Sequence, residues 1–564
     1  MIYLKTFVLS TLLLCSANLY AADYYVNNRI GSDNLDGTSI KVSGHSGPML
    51  TINKALKLLK AGDTLHLANT GKVYRQSINI PPQLSGTAER KITINGHGAW
   101  LTCAEPIPAE RWEPAKQGPA GTLRLAELKG RYDFGISLLL DGDKVKKFGD
   151  REALKPGQFW YYPTWKTLYY SIPDSFKGST ITITQTDGKT VEAPPGKWGD
   201  TNFRHIAGLR RFRGLTSPPK SITVNGKAAA LLETPGLDNL AEGRMSCVRG
   251  RELYYRPLSG KKISDLQLMG VFRSSGIGIS GANKHLIIKN FNVAYTTNDG
   301  YNIHGATRDI LFQNCNAFFC GDEGYSSHGK CETTLDGGIF LNCSNGIHNV
   351  NNSSTTIRNV IVGGVSTGGV KIDSSTSNNS IENTILIDCP LIVSNTKTHN
   401  ILTLNSKDLK RGTHPGMNLG PNVHINKATV TGKGRIRLNA KSKGSFEHTL
   451  FAFSGRGMHV RADLLDGIIS FKDCFYDPDF TMEWGTGHPF KRSSFTKWVQ
   501  DNPTLASHCQ TNKLDLNKAL NDGHIPEGLL AGMGCSKELL QRAIDFLPKR
   551  QALLKQAKRI VLGE

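Results

Sequence analysis

Two neighbouring acids, several histidines and a lysine recur along the chain at almost constant separation. Asp299 lies in Asn298-Asp299-Gly300, and Asp322-Glu323 precedes Gly324. His348 follows Gly346-Ile347, and Lys371 follows Gly369-Val370. His304 and His328 come shortly after Gly300 and Gly324. From glycine to glycine the intervals are 24, 22 and 23 residues. Paired carboxyl groups suit glycoside hydrolysis, one as acid and the other as base or nucleophile. Carboxylates stacked at strand spacing repel, so one of them keeps its proton. Asp322 is the expected general acid, with Asp299 and Glu323 as base or nucleophile candidates. His304, His328, His348 and Lys371 are expected to contact substrate, holding a sugar carboxylate or sulfate.

These residues span about seventy positions, so a repeating fold must collect them. Ten residues before the four glycines stand Asn290, Asn314, Asp336 and Asn359, and Asn383 continues the column. A period in the low twenties signals a solenoid. Amides stacked in one column can bond along its axis and satisfy bend backbone groups. After each glycine the residues alternate inward and outward. Tyr301, Ile303, Tyr325, Ser327, Ile347, Asn349, Val370 and Ile372 are expected inside. Asn302, His304, Ser326, His328, His348, Lys371 and Asp373 are expected outside. Asn349 needs an internal hydrogen-bond partner. Structural roles compete with these readings: turn capping for Asp299 and Asp322, stacking for His304 and His328, solvated charge for Lys371, core packing for Tyr301 and Tyr325.

The chain has 564 residues, 38% hydrophobic and 20% charged, which excludes a disordered protein. Its 59 glycines suit a turn-rich, all-β fold. The formal net charge is +21, which points to a polyanionic partner. Lys5, the apolar run 7–15 and small residues to Ala22 read as a signal peptide over 1–22, cleaved near Ala21 or Ala22. The run is too short to span a bilayer, and no later segment reads as a membrane helix. The expectation is therefore a secreted or periplasmic monomer. Its expected partner is an acidic polysaccharide, uronate-containing or sulfated, and nucleic acid is excluded.

Ten cysteines remain after residue 22. Their spacing offers no metal motif. Cys509 and Cys535 are candidates for a disulfide, while Cys315, Cys343 and Cys389 read as buried small side chains in strands. Ile52, Ala55, Leu56 and Leu59 predict a short capping helix. Residues 101–270 carry a loose internal repeat of antiparallel β units. The basic stretch Arg204, Arg210, Arg211 and Arg213 between its halves reads as a solvated loop or a sugar-gripping rim. Ser536 and Pro548 mark a helix start and a break near the end.

The opening, "YYVNNRIGSDNLDGTS…TINKALKLLKAGDTLHL", resembles bacterial secreted right-handed parallel β-helix proteins, among them glycoside hydrolases and polysaccharide lyases. That resemblance implies a right-handed parallel β-helix with an inserted β subdomain, an N-terminal capping helix and a C-terminal helical segment. The expected layout is 23–100 as cap and first coils, 101–270 as insertion, 271–475 as coils and 476–564 as helical extension. The order acid, acid pair, His, Lys is similar to the polygalacturonase family of hydrolases. There the acids act on the glycosidic bond, and the His and Lys support the site and bind uronate. Two features depart from that pattern: Gly346-Ile347-His348 replaces Gly-His-Gly, and no Arg precedes Val370-Lys371-Ile372. A lyase would use Lys371 or His348 as base, with Ca²⁺ held by Asp299, Asp322, Glu323 and Asp373. No cofactor is expected for the hydrolase. A non-catalytic carbohydrate-binding or adhesive solenoid is the third reading.

Overall fold

A computed structural model describes residues 21–563, apart from 127–135, 163–166, 172–180, 194–197, 201–208, 214, 216–218, 225–226, 229–230, 233, 249–251, 366, 375–377, 405–415, 432–435, 439–443, 453–454, 461–468, 485–490, 527–528 and 530–531. Nearly all of the expected signal segment, residues 1–20, lies outside the described residues, as does Arg204. The chain divides into two compact units, one of residues up to Ala104 together with Arg273 onward, the other Glu105–Phe272.

The first unit is a right-handed parallel β-helix. Its strands Ile277–Ile279, Tyr301–Ile303, Glu323–Ser327, Asn345–Asn351, Gly368–Ser374, Leu391–Val393 and Met417–Leu419 stack in parallel within one 12-stranded sheet. Tyr301 pairs with Tyr325, Tyr325 with Ile347, and Ile347 with Val370, which is the register the glycine spacing predicts. Tyr301, Ile303, Tyr325, Ser327, Ile347, Asn349, Val370 and Ile372 are all buried. Tyr301 and Tyr325 are core residues; the Tyr325 hydroxyl donates to Thr333 Oγ1 at 2.7 Å. The inward Asn349 is satisfied by donating to Asn379 Oδ1 at 2.7 Å and to the Ser353 carbonyl at 3.2 Å.

The asparagine column forms the bends. Asn290, Asn314, Asn359, Asn383 and Asn400 all have positive φ, a conformation that Asn tolerates better than most residues. Asn314 donates to Asn290, Asn383 to Asn359 and Asn400 to Asn383, at 3.3, 3.3 and 2.7 Å. Where the column holds Asp336, Gly337 takes the positive φ instead, and Asn359 donates to the Asp336 carboxylate at 2.7 Å.

The glycine column exists because coils approach too closely for a side chain. A Cβ on Gly346 would lie 2.4 Å from the Gly369 carbonyl oxygen and 2.2 Å from Val362 Cγ1. Gly300 and Gly324 face the next glycine carbonyl at 2.6 and 2.7 Å in the same way. Gly346→Ala should therefore cost about 1–3 kcal/mol, the usual penalty for overpacking. A denaturant midpoint equal to wild type would show that the glycine column is not sterically required.

The predicted capping helix is short, Ile52–Ala55 continued by a 3₁₀ turn Leu56–Leu58, and it buries Ile52, Ala55, Leu56 and Leu59 as one face. At the other end, Ser536 accepts a hydrogen bond from the Leu539 N–H and caps the helix Lys537–Phe546. Pro548 sits in the 3₁₀ turn before the helix Arg550–Leu562. These helices dock on the asparagine bends. Arg542 donates to the Asn359 and Asn383 carbonyls, and Arg550 forms a buried ion pair with Asp388 at 2.7 Å.

Cys103, Cys315, Cys331, Cys343, Cys389, Cys474, Cys509 and Cys535 are free thiols. The proposed Cys509–Cys535 pairing is not present. The Cys535 N–H donates to Thr429 Oγ1, whereas Cys509 Sγ is in hydrogen-bond contact with Cys474. Cys315, Cys343 and Cys389 are buried, though at bends rather than within strands.

The second unit is built of antiparallel β pairs, including Phe159–Tyr162 with Thr167–Ser171 and Arg244–Val248 with Glu252–Arg256. The basic stretch is not a loop where it is described. Arg210, Arg211 and Arg213 belong to the strand Leu209–Arg213, paired with Thr167–Ser171, and Arg213 is exposed. Among the described residues, no helix is long and apolar enough to cross a membrane.

Candidate active site

Each site residue owes its place to one rule: a position relative to the column glycine. The residue before the glycine is Asp299, then Glu323, then Asn345, and the register aligns Glu323 with Asn345. The residue before those is Asn298, then Asp322. The Asp322 N–H donates to the Asn298 carbonyl at 3.0 Å, and the Asp322 carbonyl accepts the N–H groups of Ser344 and Asn345. Those backbone bonds lock three successive bends together and hold their side chains in line.

The result is a cluster of three carboxyl groups whose oxygens lie within 4.8 Å of one another, from Asp299, Asp322 and Glu323. Asp299 is only 1% exposed. It accepts the Glu323 N–H at 3.1 Å and the Asn298 amide at 3.0 Å. Glu323 is 6% exposed, and its Oε1 accepts from Asn345 Nδ2 and His348 Nδ1, both at 3.0 Å. Asp322 is half-buried and is the carboxyl nearest to solvent.

Burial and mutual repulsion split the protonation of this cluster. Burial, then the hydrogen bond and charge of Glu323, push the Asp299 carboxyl far above the carboxylate range. Asp322 moves up too, through desolvation and the adjacent Glu323. Glu323 goes the other way. Burial opposes its charge, but hydrogen bonds from His348, Asp299 and Asn345 outweigh that and hold it ionised. The site therefore presents a half-buried acid whose pKa is raised beside one whose pKa is lowered, the divergence that acid/base chemistry uses.

His348 carries the positive partner. Its second nitrogen, Nε2, faces Asp373 Oδ2 at 3.4 Å, so the ring bridges two carboxylates. Burial lowers its pKa, but the bonds to Asp373 and Glu323 raise it further than burial lowers it. Lys371 Nζ pairs with the same Asp373 oxygen at 2.8 Å. Glu323, His348, Asp373 and Lys371 thus form an alternating chain of carboxylates and basic groups across three coils.

The structure brings His304 and His328 together on the neighbouring outward column, rings stacked at 4.5 Å and 6°. Burial lowers both pKa values, and for His328 the His304 charge adds to the effect. Both rings are neutral at pH 7, so they offer stacking surface and hydrogen bonds in place of the cationic grip anticipated for them. His328 also bonds to Ser326. Asn345 is the functional residue that the sequence reading passed over. Its signal was present in the position before Gly346, the same position as Asp299 and Glu323. Asp373 was placed outside as a possible calcium ligand; here it is the partner of His348 and Lys371.

Fold and site together define a parallel β-helix protein with a largely buried carboxyl cluster at the bends that lead into one sheet. No family model matches the chain, and no curated protein matches it. Among solved structures it is similar to a complex of XylC with xylose, at 12% identity over 84% of this chain and 73% of that one, TM-score 0.35. It is also similar to the tailspike protein gp49 of Pseudomonas phage LKA1, at 10% identity over 76% and 70%, TM-score 0.20.

Proposed function

We propose that the protein is an exported carbohydrate-active enzyme, a glycoside hydrolase that cleaves a polysaccharide by carboxyl acid/base catalysis. The observation that carries this reading is the opposite shift of the Asp322 and Glu323 carboxyls within one cluster, Asp322 upward and Glu323 downward. Asp322 donates its proton to the leaving oxygen. Glu323, held ionised by His348 and Asn345, acts as base or nucleophile. Asp299 lies behind Glu323, too deep to meet a polymer, and is a positioning residue that shares its proton with Glu323. His304 and His328 border the cluster as a stacking surface.

The +21 charge supports an acidic polymer as substrate. The patch itself adds little to that preference, because Lys371 and His348 are already paired with Asp373 and Glu323. The same pairing weighs against the lyase alternative, whose base would be Lys371 or His348.

The test is a product assay on pectic, alginate-type and sulfated polysaccharides, with and without Ca²⁺. New reducing ends without ultraviolet absorbance from unsaturated uronate are the expected result. Absorbance rising with the reducing ends would replace the hydrolase by a lyase, and calcium dependence would then matter. Silence across the panel would favour a binding solenoid.

Asp373→Asn gives a further prediction. Without its carboxylate, His348 loses one of the two bonds that raise its pKa, so its pKa falls. The His348 imidazole titration, followed by NMR, should therefore move to lower pH, by about one unit. An unmoved titration would remove Asp373 from the role given to it.

A further inference from the structure

The last stacked coils contain a pair of thiols that the catalytic reading does not use. Phe471 and Lys472 pair with Ala506 and Ser507, and Phe475 and Tyr476 pair with Gln510 and Thr511. The register is the same on both sides of the bend, so Cys474 stands opposite Cys509. The bend residues before them match as well. Asp473 and His508 both have positive φ, at 51° and 53°, and their side chains are bonded at 3.2 Å. Each thiol turns back toward the preceding coil: Cys474 Sγ to the Phe446 carbonyl at 3.4 Å, and Cys509 Sγ to the Phe471 carbonyl at 3.9 Å. Phe446 and Phe471 are themselves register partners. The two sulfurs are in hydrogen-bond contact.

Parallel neighbours stand about 4.8 Å apart, within the ~4.4–6.8 Å that a disulfide spans between Cα atoms. Access separates this pair from another register-adjacent one. Cys320 and Cys343 also lie on neighbouring coils, but both are buried, at 1% and 3% exposure. Cys474 is fully buried too, whereas Cys509 is only partly buried and can meet a small reagent.

We propose that Cys474 and Cys509 are an oxidisable pair that closes to a disulfide between the last two coils when the protein meets a low-molecular-weight disulfide. The Cys509 thiolate attacks the reagent RSSR, forming a mixed disulfide and releasing RS⁻. The Cys474 sulfur gives up its proton, displaces the second RS⁻ and forms the protein disulfide. Two protons and two electrons leave with two RSH. The contact with Cys474 favours thiolate on Cys509, the residue that must attack first. The link would tie the terminal coil to the coil before it. An oxidising exterior, the destination expected from the N-terminal segment, would supply the reagent.

The test treats the reduced full chain, in its native state, with glutathione disulfide. Thiols are then alkylated under denaturing conditions and the protein is mapped by peptide mass. The expected result is a loss of two thiols, a mass lower by two hydrogens, a peptide joining 474 to 509, and a higher unfolding midpoint. Cys509→Ser, at a partly buried position, should fold, retain its other thiols and show no midpoint shift on oxidation. Glutathione retained on Cys509 as a stable mixed disulfide would overturn the proposal. So would a link at other cysteines, or no reaction in the native protein when the unfolded chain reacts.

Discussion

Asp322→Asn and Glu323→Gln should each lower kcat on the cleaved polysaccharide by about 10³-fold, while affinity for it stays within about threefold of wild type. Both substitutions are isosteric, and neither side chain belongs to the apolar core. The loss arises because Asn cannot give its proton to the leaving oxygen and Gln cannot accept one or attack. The two variants also separate from each other. A substrate whose leaving group departs without protonation, such as an activated aryl glycoside, bypasses the acid. Asp322→Asn should therefore recover most of its rate on such a substrate, and Glu323→Gln should not. If both variants turn over normally, the carboxyl cluster is a structural feature of the bends. If binding is lost along with turnover, the residues position the substrate and the chemistry lies elsewhere. A carbohydrate-binding solenoid predicts no change in either variant.

The coil architecture was legible because one constraint repeats. A parallel coil must bring its bend glycine against the next coil's carbonyl, so Gly300, Gly324, Gly346 and Gly369 align, and the alternation from each glycine follows. That alternation correctly placed His348, Lys371 and Asp373 outside and flagged Asn349 as an inward amide in need of a partner. Protonation states were not legible. His304 and His348 are both outward histidines, yet the pKa of one is lowered and that of the other raised. The difference lies in which residues on the adjacent coils supply carboxylates, since His348 has Glu323 on one side and Asp373 on the other. Cysteine pairing failed for a related reason. Closeness in sequence suggested Cys509 with Cys535, but in a solenoid the neighbour is one coil away, and for Cys509 that residue is Cys474. The basic run at Arg210, Arg211 and Arg213 misled because a row of charges reads as solvated loop, while a strand within a sheet can carry the same row.

Asp299→Asn should stabilise the protein at neutral and alkaline pH and leave it nearly unchanged in acid. Asp299 keeps its proton when folded because it is buried against an ionised Glu323. In the unfolded chain it ionises near its ordinary value of 3.8. Below that pH both states hold the proton, and the group costs nothing. As the pH rises the unfolded state alone releases it, so this carboxyl draws the equilibrium toward unfolding across the neutral range. Asn needs no proton to donate to Glu323, and its carbonyl oxygen can still accept the Glu323 N–H. The Asn298 amide can turn to present its oxygen to the new NH₂ group. The expected gain at pH 8 is about 1–3 kcal/mol, the scale of one to two pKa units at about 1.4 kcal/mol each. Denaturant midpoints of wild type and variant, compared at pH 4 and pH 8, measure it. Glu323 has the opposite sign: its lowered pKa contributes stability above its unfolded value, and that contribution is lost as the pH falls through the folded one. The gap between variant and wild type should thus open with rising pH while both proteins weaken in strong acid. A gap that is constant with pH would mean that Asp299 is ionised in the folded protein. Glu323 would then have to carry the shared proton, and the assignment of acid and base between Asp322 and Glu323 would have to be reversed.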